Sequence, residues 1–370
     1  MADVQNSFVL ILSLVHTRKM LPTTLKFIFS DFLKTNSSQF GFKKHNSTSH
    51  AIFCLKETVN YYVNNGSQVF CSFLDASKAF DRLVHSGLYI KLIQKRLPKI
   101  FIDIVITWYD GLYCRVLWDG HYSAWFHISA GVRQGGILSP DFYGLYVDDL
   151  FHLLELSGVG CYLVDRFAAA LMYADDIALL APSLKGLQKL LFICEEYCCY
   201  WDIRLNAKKT KNLSFGKRAT PTHPLKLNSA PIQWVDKWKY LGVTILHGKQ
   251  FGCCVEDTLG KFYRALNSIL RVDGRSDDMI MLRLIETHCV SLLSYAIEVV
   301  HIADKKQTSK MRVAYNSVFR KLFSYSYRES VTNLQHMLGR PTWEELISKR
   351  KRNFTERFVN LPDDSLVHIV

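Results

Sequence analysis

Asp175 and Asp176 stand side by side in an otherwise apolar run, residues 167–181, FAAALMYADDIALLA. Carboxylates are costly to bury unless something neutralises them. The run predicts a buried hairpin with its acids at the turn, where hard divalent cations with oxygen ligands are one compensation. An ordinary acidic turn is the alternative, because Asp favours turns. Asp75 ends a second run of the same kind, VFCSFL-D, and a helical stretch follows it. It stands at the end of a core strand, where open sheets place functional groups; the alternative is a helix N-cap. Two such strands side by side bring Asp75 against Asp175 and Asp176. Three carboxylates can hold two Mg²⁺ ions about 3.5–4 Å apart, the arrangement used for in-line phosphoryl displacement. Mg²⁺ keeps few protein ligands and leans on substrate phosphates, so a nucleotide would complete such a site.

The elements that must position these acids follow from hydrophobic spacing. Ala51, Ile52, Leu55, Val59 and Val63 recur at helical intervals and predict a helix. Asn65-Gly66 marks a turn before the strand 69–74. Residues 77–98 predict one or two short helices stopped by Pro98, and 113–118 with 122–128 a hairpin across Asp119-Gly120. The Gly-rich stretch 131–140 leads into a helical DFYGLYVDDLFHLLEL, and a further helix spans 184–200. Strands are expected at 213–215 and 240–245. From about residue 255 helical periodicity dominates, whereas residues 1–35 show no clear period.

The chain has 370 residues, 49% of them hydrophobic, which excludes a disordered or low-complexity protein. No apolar run reaches the ~18–20 residues of a membrane span. The start, MADVQNSFVLILSLVHTRK, is a poor signal peptide because its first residues are acidic rather than basic. An intracellular protein, nuclear or cytoplasmic, with no membrane partner is expected. Lys and Arg total 46 against 33 acids, a net +13 that favours polyanions as partners. The ten cysteines lack C-x-x-C spacing, so reduced structural thiols are expected rather than a zinc site or a disulfide framework. No internal period is visible, which excludes a helical-repeat protein.

FLDASKAFDRLVH, GVRQGGILSPDFYGLYVDDL, YADDIALL, LNAKKTKNLSFG and KYLGV occur in that order, preceded by QFGFKKHNSTSHAI. Together these segments resemble the reverse-transcriptase motifs of non-LTR (LINE-like, jockey/CR1-type) retrotransposons over about residues 38–245, and the tail is similar to the thumb side of those elements. The resemblance implies an α+β right-hand polymerase: fingers and palm with an antiparallel palm sheet, then a helical thumb-like domain. It divides the chain into a divergent or truncated fingers remnant (1–35), a fingers and palm domain (36–250) and a basic helical region (251–370). The implied activity is RNA-directed DNA polymerisation, with an RNA template, a DNA primer, dNTPs and two Mg²⁺ ions, for which Mn²⁺ is a substitute.

By the same resemblance, Asp75, Asp175 and Asp176 match the catalytic metal-binding aspartates, and Ala76 joins the metal set. Phe80 matches the bulky gate beneath the incoming sugar; its alternative is a core phenylalanine. Asp81 is read as orienting its helix, outside the metal shell. Gln134 and Gly135 match the motif under the template and nascent pair, and Gly135-Gly136 permits close backbone approach. Arg133 beside them contacts phosphate or is an ordinary surface residue. Lys209 matches the lysine near the leaving pyrophosphate, with Lys208 one residue away. Tyr173 joins the substrate-binding set, and Tyr240, Leu241 and Gly242 match the primer-grip hairpin.

In the tail, Lys305, Lys306, Lys310, Arg312, Arg320 and Lys321 precede the run Lys349-Arg350-Lys351-Arg352. Tyr315, Phe319, Phe323, Tyr325 and Tyr327 between them suit core packing or base stacking. The sequence departs from the family in three ways. Residues 1–36 lack the Arg-Pro-Ile element of the fingers, and Arg18, Lys19 and Lys26 are not expected to replace it. No endonuclease domain precedes the motifs, and no Cys/His knuckle follows them. A retroelement fragment is therefore expected, and a catalytically impaired relic that only binds nucleic acid is the alternative function.

Overall fold

The computed structural model describes residues 20–76, 78–133, 135–217, 221, 223–271, 277–300, 305–359, 361 and 365–368. Strand Val69–Asp75 is buried through its first six residues, as its unbroken apolar run requires of a strand covered on both faces. It pairs antiparallel with Asp176–Ala181 on one side and with Lys211–Phe215 on the other. Ala170–Tyr173 continues the sheet beyond Asp176–Ala181, and Ala230–Trp234 and Leu225–Leu227 continue it beyond Lys211–Phe215. The expected antiparallel sheet is thus present, although Lys211–Phe215 and Ala230–Trp234 pair parallel.

Helices cover this sheet. Thr48–Asn64 buries Ala51, Ile52, Cys54, Leu55 and Val59. Leu184–Tyr200 starts at an N-cap, Ser183, whose hydroxyl accepts from the Gly186 N–H at 3.1 Å. Burying each large aliphatic side chain stabilises by about 1.5–3 kcal/mol, which is how a short apolar stripe fixes a helix face. Ser139–Leu156 carries Pro140 in its first turn, where a missing N–H costs nothing. Its acids are tied to lysines: Asp141 to Lys26 of helix Met20–Ile28 at 2.6 Å, Asp148 to Lys95 at 2.6 Å, and Asp149 to Lys91.

A hairpin leaves this body at Tyr113–Cys114 and returns at Phe126–His127, with its tip at Asp119-Gly120 as expected. Trp118, Tyr122 and Trp125 on it are exposed. The Arg115 guanidinium lies 3.7 Å from the Tyr122 ring centroid.

Two expectations change. Residues 240–245 are not one strand: Lys237–Tyr240 and Val243–Leu246 form a hairpin whose tip is Leu241-Gly242. Both tip residues have positive φ, which no continuous strand accommodates. Residues 20–28, read as aperiodic, form a helix with Pro22 in its first turn.

Beyond Cys254 the ordered elements are helical, chiefly Glu256–Leu270, Asp278–Ile285, Lys305–Leu322 and Trp343–Phe358. Phe262, Leu266, Leu282, Tyr315, Phe319 and Trp343 fill a second core. Trp343–Phe358 opens on a capping box, Thr342 with Glu345. Its far end returns to the first core, where Phe354 lies 5.1 Å from the His50 ring and Phe358 lies 5.6 Å from Phe53. Among the described residues, no helix is long and apolar enough to cross a membrane.

Candidate active site

Asp75 and Asp176 are direct partners across the central antiparallel pair of strands, and Asp175 sits in the turn between Tyr173 and Asp176. The three acids therefore meet at one end of these two central strands. Ala174, the first residue of that two-residue turn, has φ +56. A left-handed residue other than Gly costs roughly 1–2 kcal/mol, so something must hold it.

The like charges burden one another. Burial first, then Asp175 and Asp75, push the Asp176 carboxyl up to about 6. Asp175 is raised by burial and by Asp75. Asp176 is open to solvent on its outer side, yet the palm beneath it strips enough water to favour the neutral form. One oxygen of Asp75, Oδ2, is buried with no hydrogen-bond partner, and the Lys209 ammonium stands 3.6 Å from it. Uncompensated carboxylates with a free oxygen lone pair are the donor set that a hard cation takes. Among the described residues, no three His, Cys, Asp or Glu side chains form a ready-made metal cage.

Lys209 reaches Asp75 because of Asn206. The Asn206 N–H donates to the Asp75 carbonyl at 2.9 Å, and its side-chain oxygen accepts from the Lys208 and Lys209 N–H groups. This Asx turn aims Lys209, not Lys208, at the acids. Asn206 had been read only as part of its motif; Asn ahead of two lysines at a strand boundary is the turn signal that marks it.

Phe80 lies half-buried, stacked on Tyr143 at 4.7 Å and edge-on to Phe42 at 6.1 Å. Tyr143 is fixed beneath the acids: burial, then Asp175, pushes its hydroxyl up. Tyr143 and Phe42 are supports that sequence reasoning missed. Gly135 has φ +77 and open space where a Cβ would stand, so within the chain its glycine serves conformation rather than close packing. Arg133 is exposed, and its carbonyl accepts from Gly136 and Ser139. Gln134 lies outside the described residues, as do Arg18 and Lys19. Lys26 is held by Asp141.

Tyr240 turns its ring inward against Phe73 at 5.0 Å, with its buried hydroxyl unpartnered. The side chain anchors the hairpin, while the tip at Leu241-Gly242 faces the helical region: the Tyr295 hydroxyl donates to the Leu241 carbonyl at 2.9 Å. Tyr173 is half-buried, its hydroxyl raised by burial and by Tyr295.

The helical region divides its charges. Lys310 pairs with Glu256, Arg312 with Glu344, and Arg320 donates to the Glu329 carbonyl. Lys321 bonds Asn267. Lys349, Lys351 and Arg352 are exposed, whereas Lys305 and Lys306 have side chains outside the described ones. Tyr315 and Phe319 are core residues, and Tyr325 and Tyr327 are exposed.

A twisted sheet carrying acids on two adjacent central strands, flanked by helices and followed by a helical lobe, is the α+β fold of right-hand polymerases. Residues 15–245 match the family "Reverse transcriptase (RNA-dependent DNA polymerase)". The chain belongs to that family. It is 28% identical over 86% of its length to the "Probable RNA-directed DNA polymerase from transposon BS" of Drosophila melanogaster, covering 36% of that protein. It is 23% identical over 89% of its length to the "RNA-directed DNA polymerase from mobile element jockey" of the same species, again covering 36% of it. The chain thus spans about a third of the length of these relatives. In fold it is similar to the solved telomerase of Candida albicans in complex with a fragment of telomeric RNA: TM-score 0.51, 13% identity, 86% of this chain and 57% of that one.

Proposed function

We propose that the chain adds dNTPs to a primer 3′-hydroxyl under an RNA template, using Mg²⁺ held by Asp75, Asp175, Asp176 and the Ala76 backbone. The observation that carries this reading is a contrast between two Asp-Asp pairs. Asp148 and Asp149 are each neutralised by a lysine of the protein, whereas Asp175 and Asp176 face Asp75 and have no such ion pair among the described residues. Mg²⁺, when bound, lowers the pKa of the primer hydroxyl and offsets charge on the transferring phosphate. The primer 3′-hydroxyl gives up its proton to solvent, its oxygen forms a bond to the α-phosphorus as the bond from that phosphorus to pyrophosphate breaks, and Lys209 supplies a proton to the leaving group. Phe80, held by Tyr143, excludes a 2′-hydroxyl. Gln134 and Gly135 serve the template and nascent pair as their motif implies, Arg133 contacts phosphate, Tyr173 joins in substrate binding, and the Tyr240–Gly242 hairpin holds the primer end.

The division of labour follows the two cores. Residues 36–250 act as fingers and palm, residues 251–370 as a thumb whose exposed Lys349, Lys351 and Arg352 track phosphates, and residues 1–35 as a divergent part of the fingers. Primer extension on poly(rA)/oligo(dT) with Mg²⁺ tests the reading. Extension by the parent chain that disappears in Asp175→Asn and in Asp176→Asn supports it. Tight binding of the duplex with no extension by the parent would leave a nucleic-acid-binding relic instead.

A further inference from the structure

The geometry points to Gln39 as the positioning residue of the acid-bearing turn, an inference that rests on the polymerase reading of Asp175 and Asp176. Gln39 comes from a segment far from the acids in sequence, and its side chain is 5% exposed. Its Oε1 accepts from the Ala174 N–H at 3.0 Å, and its Nε2 donates to the Ala174 carbonyl at 3.5 Å. One amide side chain thus serves both backbone polar groups of the residue at φ +56 that precedes Asp175. The same Oε1 accepts from the Gly41 N–H at 3.1 Å, which fixes the rotamer of the Gln39 side chain.

The backbone on either side is docked as well. The Phe40 N–H donates to the Met172 carbonyl at 2.8 Å, and the Met172 N–H donates to the Ser38 carbonyl at 3.0 Å. Residues 38–40 therefore add a short parallel rung, Gln39 against Met172, to the outer edge of the sheet. Gly41 completes the seat: a Cβ there would stand 2.5 Å from the Ala174 nitrogen, too close for any other residue. Gln at 39 and Gly at 41 are thus the two chemical requirements of one brace. It supplies an acceptor and a donor to Ala174, then clears the space in which Ala174 lies.

Other residues at position 39 fail in separable ways. Met keeps the shape and loses both hydrogen bonds. Glu keeps the acceptor, loses the donor and adds a negative charge beside the acids. Asn is one methylene too short. Reaction rates respond steeply to such shifts, since a misplacement of about 1 Å costs on the order of 100-fold.

The test compares the parent chain with Gln39→Met and Gln39→Glu by three readouts: amide exchange at Ala174, Mn²⁺ affinity without nucleic acid, and steady-state primer extension. In Gln39→Met, exchange at Ala174 should accelerate at least about 10-fold as its hydrogen bond is lost. Mn²⁺ should bind several-fold more weakly, and kcat should fall about 10- to 100-fold while the Kd for primer–template stays within about twofold. Gln39→Glu, which retains the acceptor, should keep most of the protection at Ala174. Unchanged exchange and Mn²⁺ affinity in a folded Gln39→Met chain would overturn the brace. A parent chain that binds primer–template without extending it would overturn the polymerase reading alone, because exchange at Ala174 still decides the brace.

Discussion

The Tyr295 hydroxyl donates to the Leu241 carbonyl and pairs with the Thr48 hydroxyl, both at 2.9 Å. One phenol from the helical region thereby fixes the hairpin tip and the start of helix Thr48–Asn64. Tyr295→Phe should lower stability by about 1 kcal/mol, the net worth of a hydrogen bond. Thermal unfolding checks this, and primer extension should show shorter products at unchanged dNTP KM. Gly242→Ala should be worse, because its Cβ would lie 2.8 Å from the Tyr295 ring at a backbone φ of +84.

Asp176→Asn should stabilise the metal-free chain while abolishing extension. The sign follows from the raised carboxyl. The folded form keeps its proton up to about 6, whereas an unfolded Asp loses it near 3.8, so the unfolded state gains as pH rises between them. At pH 7 the ionised group therefore works against the fold, and the amide removes that burden. Urea denaturation at pH 7 and pH 4 measures it: the gain should be present at pH 7 and absent at pH 4. Added Mg²⁺ should raise the Tm of the parent and leave the variant unchanged.

The other Asp-Asp pair predicts the reverse. Lys91 is 3% exposed and balanced by Asp149, with the Trp201 ring centroid 3.9 Å from its Nζ. Removing one partner of a buried ion pair costs about 3–5 kcal/mol; the half-exposed Asp149 places Asp149→Ala at or below the lower end of that range. Denaturant midpoints check it. Metal affinity at Asp175 and Asp176 should not change.

His50 carries a pH dependence of its own. Burial, and then Arg357, lower its imidazole to about 4, and neither ring nitrogen has a hydrogen-bond partner. Between about 4 and 6.5 the unfolded chain binds a proton that the folded chain refuses. This contribution to stability is full above 6.5 and is lost as pH falls towards 4. His50→Leu should flatten the fall in urea midpoint between pH 7 and pH 5; an unchanged slope would place the effect elsewhere.

The palm was legible because its strands are buried on both faces, so Val69–Asp75 and Asp176–Ala181 read as apolar runs, the first ending in an acid and the second beginning with one. The strands at Leu225–Leu227, at the sheet edge, and Ala230–Trp234 beside it alternate buried with exposed residues too briefly to register. The Tyr240–Gly242 turn was masked by apolar residues that run through it, although its motif had been matched to a hairpin. Within the site, the residues that carry charge were readable from type. Those that aim them, Asn206, Tyr143 and Tyr295, act through backbone carbonyls or ring packing and leave no charge pattern to read.

The return of Phe354 and Phe358 to His50 and Phe53, with Leu361, Leu366 and Val367 joining the same core, ties residues 354–367 to helix Thr48–Asn64. During synthesis on a ribosome, helix Thr48–Asn64 must wait for residues 354–367 before it can close this contact. Until then it exposes aromatic surface that chaperones or proteases can reach. A ribosome that stalls before residue 354 would hold a polypeptide with every aspartate of the site and an unfinished first core.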